Sequence, residues 1–254
     1  MKNDLLYRIA PHNMVSNSAA LLQAALSELT GSTVLRVFPD RAYRQREHHR
    51  VINWGRMVRP NWHDEELYEN VVNSYESVRV AGCKQLSLEA FNAHGVETPE
   101  FGDVEWAYNI IARGGSVYAR NVLRGHGGEG IEVISSLTEI VGHPAKLFVK
   151  ALDTHKEYRV HVIDGEVVHL QEKRRRRSRI DEDSIDYDIR NHDGGWVYCI
   201  QNVNPSESVI HNSIAAVEAV GAVFGAVDVV MLEDGSASVL EVNTAPGLCN
   251  QTAE

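Results

Sequence analysis

A mixed α/β (α+β) fold is predicted for this chain, and three observations predict it. Two turn pairs, Asp164-Gly165 and Asp234-Gly235, each separate two apolar runs, a strong hairpin signal that calls for antiparallel sheet. Helical stretches with their own start and stop residues alternate with those strands: Ser18 to Gly31, Asp103 to Gly114 and Pro205 to Gly221. A length of 254 residues is enough for a sizeable core and more than one structural unit.

Taken in order, residues 1 to about 75 read as a small α/β unit. Ser18 can cap a helix with apolar residues at 21, 22, 25, 26 and 29, and a strand is expected at Thr33–Phe38. The charged stretch Arg41–Arg50 reads as a loop, and Asn53-Trp54-Gly55 as a strand end or turn. A second unit begins near Asn73. In it Ser87 starts a short helix ending at Gly95, Thr98-Pro99 breaks the chain, and Asp103 caps a helix running to Arg113. The strand Ser116–Arg120 leads into Gly125-His126-Gly127-Gly128-Glu129-Gly130, and a strand resumes at Ile131. That loop opens no helix, so it is neither a Walker loop nor a dinucleotide fingerprint. Its glycines let backbone N–H groups approach a phosphate, although a plain flexible hairpin fits the residues equally well. From Lys146 the order is strand, loop, then the hairpin Glu157–Ile163 with Glu166–Glu172. A basic run, Lys173 to Arg179, and an acidic stretch to Asp188 precede a strand at Trp196–Val203 and a helix from Ser206 to Val220. There is no internal repeat.

Composition narrows the function. Hydrophobic residues make up 43% and charged residues 24%, as in ordinary globular proteins. The formal charge of −10 argues against nucleic acid as a partner, so any anion must be met locally. Cys83, Cys199 and Cys249 lie far apart with no CxxC pair, which excludes a zinc framework and a disulfide scaffold and fits a reducing compartment. The twelve histidines are scattered, and Glu47-His48-His49 reads as loop or helix surface. No apolar run approaches 18 residues, so a cytoplasmic protein without a membrane partner is expected.

The acidic hairpin carries the chemistry. If Asp234-Gly235 is a two-residue turn, 233 faces 236 and Asp228 therefore faces Glu241, with Asn243 on the same face. Like charges directly opposite are destabilising. A divalent cation removes that penalty, and two carboxylates with an amide oxygen suit magnesium. A solvated acidic pair beside a turn is the bland alternative, disfavoured because both strands are otherwise apolar.

Three stretches carry a family resemblance: Val239-Leu-Glu241-Val-Asn243-Thr-Ala-Pro-Gly247 preceded by Val227-Asp228, Glu157-Tyr-Arg159-Val-His161, and Asn191-His192-Asp193-Gly194-Gly195. Over about residues 73–247 the chain resembles the ATP-grasp carboxylate–amine ligases. It is most similar to the ribosomal-protein glutamate ligase and D-alanine–D-alanine ligase types and their bacteriophage relatives. The resemblance implies an ATP-grasp fold, with nucleotide held between two antiparallel-sheet subdomains after a small α/β N-terminal domain. The divisions implied are 1–75, 76–152 with the glycine-rich lid, and 153–254 with the metal site. ATP and magnesium are the implied cofactors. A small-molecule or peptide carboxylate and an amine acceptor are the implied substrates, and a homodimer is left open.

The same resemblance assigns residues. Lys84 and Arg120 would reach the nucleotide phosphates; Arg120 stands where the family usually has lysine, so it would act as a fork rather than a point charge. Gly127, Gly128 and Gly130 would cover the β- and γ-phosphates, the backbone of Lys150-Ala151-Leu152 would read the adenine edge, and Glu157 would hold the ribose. Asp228, Glu241 and Asn243 would hold magnesium. Lys173 would contact the transferred phosphoryl group, which needs a bulge or a strand end to bring it to the face of Glu157. Either Arg190 or Asn191 would take a substrate-side role, joined there by Arg159, Arg174 and His192; His192 and His161 are also candidate bases, or satisfied structural histidines. The chain ends seven residues after Gly247, where the family continues into another helix, so a short or trimmed member is expected. The implied activity is ADP-forming ligation through an acyl phosphate. A kinase of the same fold, or a nucleotide-binding structural or virion-associated protein without turnover, are the alternatives.

Overall fold

The computed structural model describes residues 5–124, 129–176, 185, 187, 190 and 194–248. Three sheets organise the chain. The first is parallel, with order β2-β1-β3-β4, from β1 (Leu6–Pro11), β2 (Leu35–Arg36), β3 (His49–Trp54) and β4 (Val71–Val72). Helix α1 (Asn17–Thr30) covers one face, where Ala19 joins Ile9, Val34 and Trp54 in a buried cluster. Its cap is Ser16, whose hydroxyl accepts from the Ala19 amide at 3.2 Å, and not Ser18. Ser18 lies in the first turn and accepts from the Leu248 amide at 3.0 Å, tying the end of the described chain to this unit. Gly31 closes the helix with φ of 64°, as its position predicts. His49 is a correction to the expected surface loop. It opens β3, is buried, and its Nδ1 lies 2.7 Å from the Tyr43 hydroxyl.

Asn73 joins this unit to the rest. Its φ is 59°, and its amide donates to the Phe224 carbonyl at 2.8 Å and accepts from the Val223 and Phe224 amides at 2.7 and 3.1 Å. Two helices follow, α2 (Tyr75–Ala81) and α3 (Lys84–Ala93). The second starts three residues earlier than Ser87, whose hydroxyl donates within the first turn to the Lys84 carbonyl at 3.0 Å. A small antiparallel sheet, order β5-β8-β6-β7, comprises β5 (Phe101–Gly102), β6 (Val117–Arg120), β7 (Ile131–Ile134) and β8 (Leu147–Lys150). Helices α4 (Val104–Ala112) and α5 (Leu137–Ile140) pack beside it, and Asp103 caps α4 by accepting from the Trp106 amide at 3.0 Å.

The third sheet is antiparallel, with order β11-β10-β9-β12-β13. Its strands are β9 (Lys156–Ile163), β10 (Glu166–Arg175), β11 (Trp196–Cys199), β12 (Phe224–Met231) and β13 (Ala237–Asn243). One face is the main core. Tyr158, Val160 and Val162 of β9 and Val227 and Val229 of β12 pack there with Leu88 and Phe91 of α3 and Val209, Ala216 and Val217 of α6 (Glu207–Ala219). Period-2 alternation then sends Glu157, Arg159, His161 and Asp228 to the other face. No described helix is long and apolar enough to cross a membrane.

Candidate active site

Two one-residue bulges decide which side chains meet on that second face. The β12–β13 connection is a three-residue loop, not the expected two-residue turn. Leu232 and Ser236 close it through a 2.9 Å backbone bond, and Gly235 takes φ of 83°. Near the loop, Met231 faces Ala237 and Val229 faces Val239, one residue off the register derived from a two-residue turn. A bulge at Leu240 restores it, so Asp228 does face Glu241, and Asn243 faces Ala226 on the same side. In the other hairpin Asp164 and Gly165 both have positive φ, 51° and 75°, as a primed two-residue turn requires. A bulge at Val168 then shifts β10, so that Lys173 faces Glu157.

The resulting face carries alternating charge. Arg159 Nε and Nη2 donate to the two Asp228 oxygens at 2.7 Å each. Burial opposes the Arg159 charge, but the Asp228 carboxylate outweighs it and raises the guanidinium's pKa. Lys84, at the start of α3, donates to Glu241 Oε2 at 2.8 Å and to the Leu240 carbonyl at 3.1 Å. The bulge that aligns Glu241 therefore also presents a carbonyl to Lys84. Lys84 holds the Glu241 carboxyl well below the usual carboxylate range, against the opposing effect of burial. Glu157 and Lys173 form a buried ion pair. Burial raises the Glu157 pKa, partly offset by Lys173. Arg120, at the end of β6, is different. Its Nε is buried without a hydrogen-bond partner, and burial lowers its pKa, opposed by the charge of Glu241.

Two aromatic residues that the sequence reading did not single out complete the face. Tyr198 of β11 pairs with Lys173, and its ring lies 4.5 Å from the Arg159 guanidinium and 5.4 Å from Lys173 Nζ. Burial raises its hydroxyl pKa. Trp196 lies 4.7 Å under the Arg190 guanidinium, which also donates to the Thr154 carbonyl at 3.0 Å. Register would have found both, because 196 and 198 share the face of Lys173, but only once the Val168 bulge is known.

Some expected members stand elsewhere. Arg174 is on the opposite face of β10, donating to Glu172 at 3.0 Å twice and to the Asn202 carbonyl at 2.9 Å. Alternation dictates this, since Lys173 already occupies the site face. Lys150 pairs with Glu100, its own amide donates to the Glu100 carbonyl at 2.8 Å, and the Ala151 amide donates to Ser116 at 2.9 Å. Leu152 is then the residue of that stretch whose amide has no bond among the described residues. Gly130 closes the β6–β7 hairpin with φ of 67°, and its carbonyl accepts from Asn121 at 2.9 Å. His161 is largely shielded. Burial, His169 and Arg159 push its pKa down to about 4, and its Nε2 is buried without a partner. Gly127, Gly128, Asn191 and His192 lie outside the described residues.

The donor set fits a hard divalent cation. Asp228 and Glu241 supply carboxylate oxygens, and Asn243 Nδ2 donates to Glu241 Oε1 at 3.0 Å, leaving its amide oxygen without a bond among the described residues. Among the described residues no group of three or more His, Cys, Asp or Glu could hold a metal by itself. Two carboxylates and an amide match a cation that takes one or two protein carboxylates and completes its shell with phosphate and water. Asp228 would share its oxygens with Arg159, which a carboxylate's four lone-pair sites permit.

No protein-family profile matches the chain, and no curated protein matches it in sequence. Solved structures do resemble it along nearly its whole length. D-alanine–D-alanine ligase from Bacillus anthracis is 14% identical, with a TM-score of 0.65 over 96% of this chain and 88% of that one. The ATP-grasp ligase PsnB, solved with a phosphomimetic variant of a minimal precursor, Mg and ADP, is 13% identical, with a TM-score of 0.67 over 96% and 91%. The macrocyclase MdnC from Microcystis aeruginosa MRC, bound with precursor peptide MdnA, is 13% identical, with a TM-score of 0.62 over 96% and 93%. The chain has the ATP-grasp fold.

Proposed function

We propose that the chain is an ATP- and magnesium-dependent ligase that joins a carboxylate to an amine and releases ADP and phosphate. The observation that carries this reading is the Arg120 guanidinium, buried at the edge of the charged face with an Nε that has no acceptor. A buried guanidinium N–H without an acceptor is costly, and a nucleotide phosphate would supply one. Lys84 and Lys173 stand on the same side, each engaged with a carboxylate that a bound nucleotide and its metal would share.

Roles follow from position. Arg120 and Lys84 would neutralise the phosphates, and Glu157 would accept from the ribose hydroxyls. The Leu152 amide would meet the adenine edge, and Lys173 would face the transferred phosphoryl group. Gly127, Gly128 and Gly130 belong to the loop that would exclude water from the site. Asp228, Glu241 and Asn243 would hold magnesium, which supplies charge neutralisation at the phosphates. The substrate carboxylate attacks the γ-phosphoryl group, giving ADP and an acyl phosphate, and the amine then displaces phosphate. Positioning and electrostatics do most of this work. Arg159, donating twice to Asp228, holds that carboxylate in place. Arg190, braced on Trp196, or Asn191 would take the substrate side.

PsnB and MdnC were solved with precursor peptides, and D-alanine–D-alanine ligase is similar to the same degree, which supports a peptide or small-molecule carboxylate as the substrate. The divisions 1–75, 76–152 and 153–254 are retained as functional segments, and a cytoplasmic site of action fits the thiol content. The test is an ADP-release screen over amino acids, short peptides and amine donors with magnesium, followed by mass measurement. A condensed product with inorganic phosphate released only when the amine is present is expected. A stable phosphorylated product would instead identify a kinase, and no magnesium-dependent ADP release with any donor would remove the enzyme reading.

A further inference from the structure

A second group of unsatisfied polar atoms lies in the N-terminal unit. Arg56 follows β3 by two residues, at the carboxyl end of the parallel sheet. Its turn is locked by Asn53, which accepts from the Arg56 amide at 2.9 Å and donates to the Arg56 carbonyl at 2.9 Å. Its Nη2 donates to the Pro11 carbonyl at 2.5 Å, at the end of β1. Nε is buried with no partner, and no carboxylate lies within ion-pair distance among the described residues. Tyr75, the first residue of α2, is 3% exposed and its hydroxyl is likewise unpartnered. Both ring nitrogens of His63 are buried without partners, and its ring meets that of Tyr75 edge-on at 5.1 Å. Arg56 and Tyr75 are each other's largest charge influence after burial itself.

Four buried polar atoms without partners in three neighbouring side chains call for an occupant. The group has one fixed positive charge. Burial holds the Tyr75 phenol as a neutral donor, with its pKa raised to about 12, and keeps His63 neutral by lowering its pKa. It therefore offers three donors and one acceptor. Arg56 is the one cation among the three, and Asp40 acting on it, with Asp64 and Glu65 acting on His63, weighs against a phosphate dianion more than against a single carboxylate. The crevice beyond the carboxyl ends of parallel strands is also where open α/β sheets take ligands. Gly55, next to Arg56 in the chain, packs close to the segment that follows the charged site: a Cβ placed on it would stand 2.7 Å from that of Ala245, two residues past Asn243.

We propose that Arg56, His63 and Tyr75 form a pocket for a single carboxylate group, and that the group belongs to the substrate. The pocket stands on its own geometry; its assignment to the substrate rests on the ligase reading. The test is NMR of the full chain, following the Arg56 Nε–H and His63 ring signals during titration with sodium acetate, glycine, inorganic phosphate and sodium chloride. A saturable shift with acetate or glycine that chloride does not reproduce is expected. Arg56→Met should weaken it at least about tenfold and Tyr75→Phe several-fold, the loss of one charge-assisted and one neutral hydrogen bond. No saturable shift, an equal shift with chloride, or one that both variants retain would overturn the pocket and leave water as its occupant. Saturation by phosphate alone would overturn the carboxylate assignment. Mg·ADP binding, measured on the same samples, separates the two readings: its absence in the wild type sinks the ligase site without touching the acetate result.

Discussion

Lys173 stands opposite Glu157 because β10 carries one extra residue, Val168, between the turn and the site. Without it Glu172 would take that place, and a carboxylate would face a carboxylate in a buried sheet. The pair is closed and both side chains are largely buried. Removing one partner strands the other charge, so Lys173→Met is expected to destabilise the nucleotide-free protein by about 3–5 kcal/mol. Adding Glu157→Leu should return most of that loss. Urea unfolding of the two single variants and the double variant measures the coupling, and additive losses would show that the pair is not a unit.

Much of this was legible in the residues themselves. The Asp164-Gly165 turn, the Asp103 cap and the Gly31 stop follow from local chemistry. At Asp234-Gly235 the place of the bend was right and its length wrong, and yet Asp228 pairs with Glu241 as expected. The last is instructive, because a three-residue loop and a bulge at Leu240 cancel to give the register that a two-residue turn alone would have given. Bulges have no strong local signature, so the need for one at Lys173 could be stated but its place at Val168 could not. Helix starts slipped for a similar reason. Ser16 and Ser18 are both competent caps, and tertiary contact with Leu248 claimed the second. Tyr198 was invisible because its role depends on Arg159 and Lys173, brought beside it from other strands.

Glu241 and Asn243 are the residues on which the metal assignment depends most, since Asp228 is already held by Arg159. Glu241→Gln and Asn243→Ala are each expected to lower magnesium-dependent ADP release at least about a hundredfold, as loss of a preorganised electrostatic contact does. The fold should survive, because neither side chain enters the main core. The concentration of magnesium giving half-maximal rate should rise as well. ADP release at the wild-type rate in both variants under saturating magnesium would remove the assignment.

The Lys84–Glu241 contact also predicts an acid response. Lys84 depresses the folded-state pKa of Glu241 below its ordinary 4.5. A depressed carboxylate contributes stability that is fully present above the unfolded value and is lost as pH falls through the lower range. Glu241→Gln lacks this contribution at every pH. The stability gap between wild type and variant should therefore be constant above about pH 6 and narrow steadily below about pH 4.5. Urea midpoints across that range read it directly; a gap that widens toward acid would reverse the sign and refute the linkage.

Arg174 makes the converse prediction. Its partners, Glu172 and the Asn202 carbonyl, lie on the face away from Asp228 and Glu241. Arg174→Gln is expected to leave the substrate KM and kcat within about twofold of wild type, with a stability loss of about 1 kcal/mol or less for a partly exposed ion pair. Steady-state kinetics at low and high salt decide it. A large, salt-sensitive rise in KM would return Arg174 to the substrate side.

Gly55 tests whether the N-terminal unit and the charged face are mechanically joined. Its φ is 79°, and an added Cβ would lie 2.7 Å from the Ala245 Cβ. Gly55→Ala therefore meets two separable penalties: a left-handed conformation, about 1–2 kcal/mol for an L-residue, and a collision with the segment that follows Asn243. Ala245→Gly should relieve the collision but not the backbone strain. The double variant is then expected to recover magnesium-dependent ADP release while staying less stable than Ala245→Gly alone. Thermal unfolding with parallel turnover measurements separates the two penalties. If Gly55→Ala loses stability but keeps full activity, the contact at Ala245 transmits nothing to Asn243.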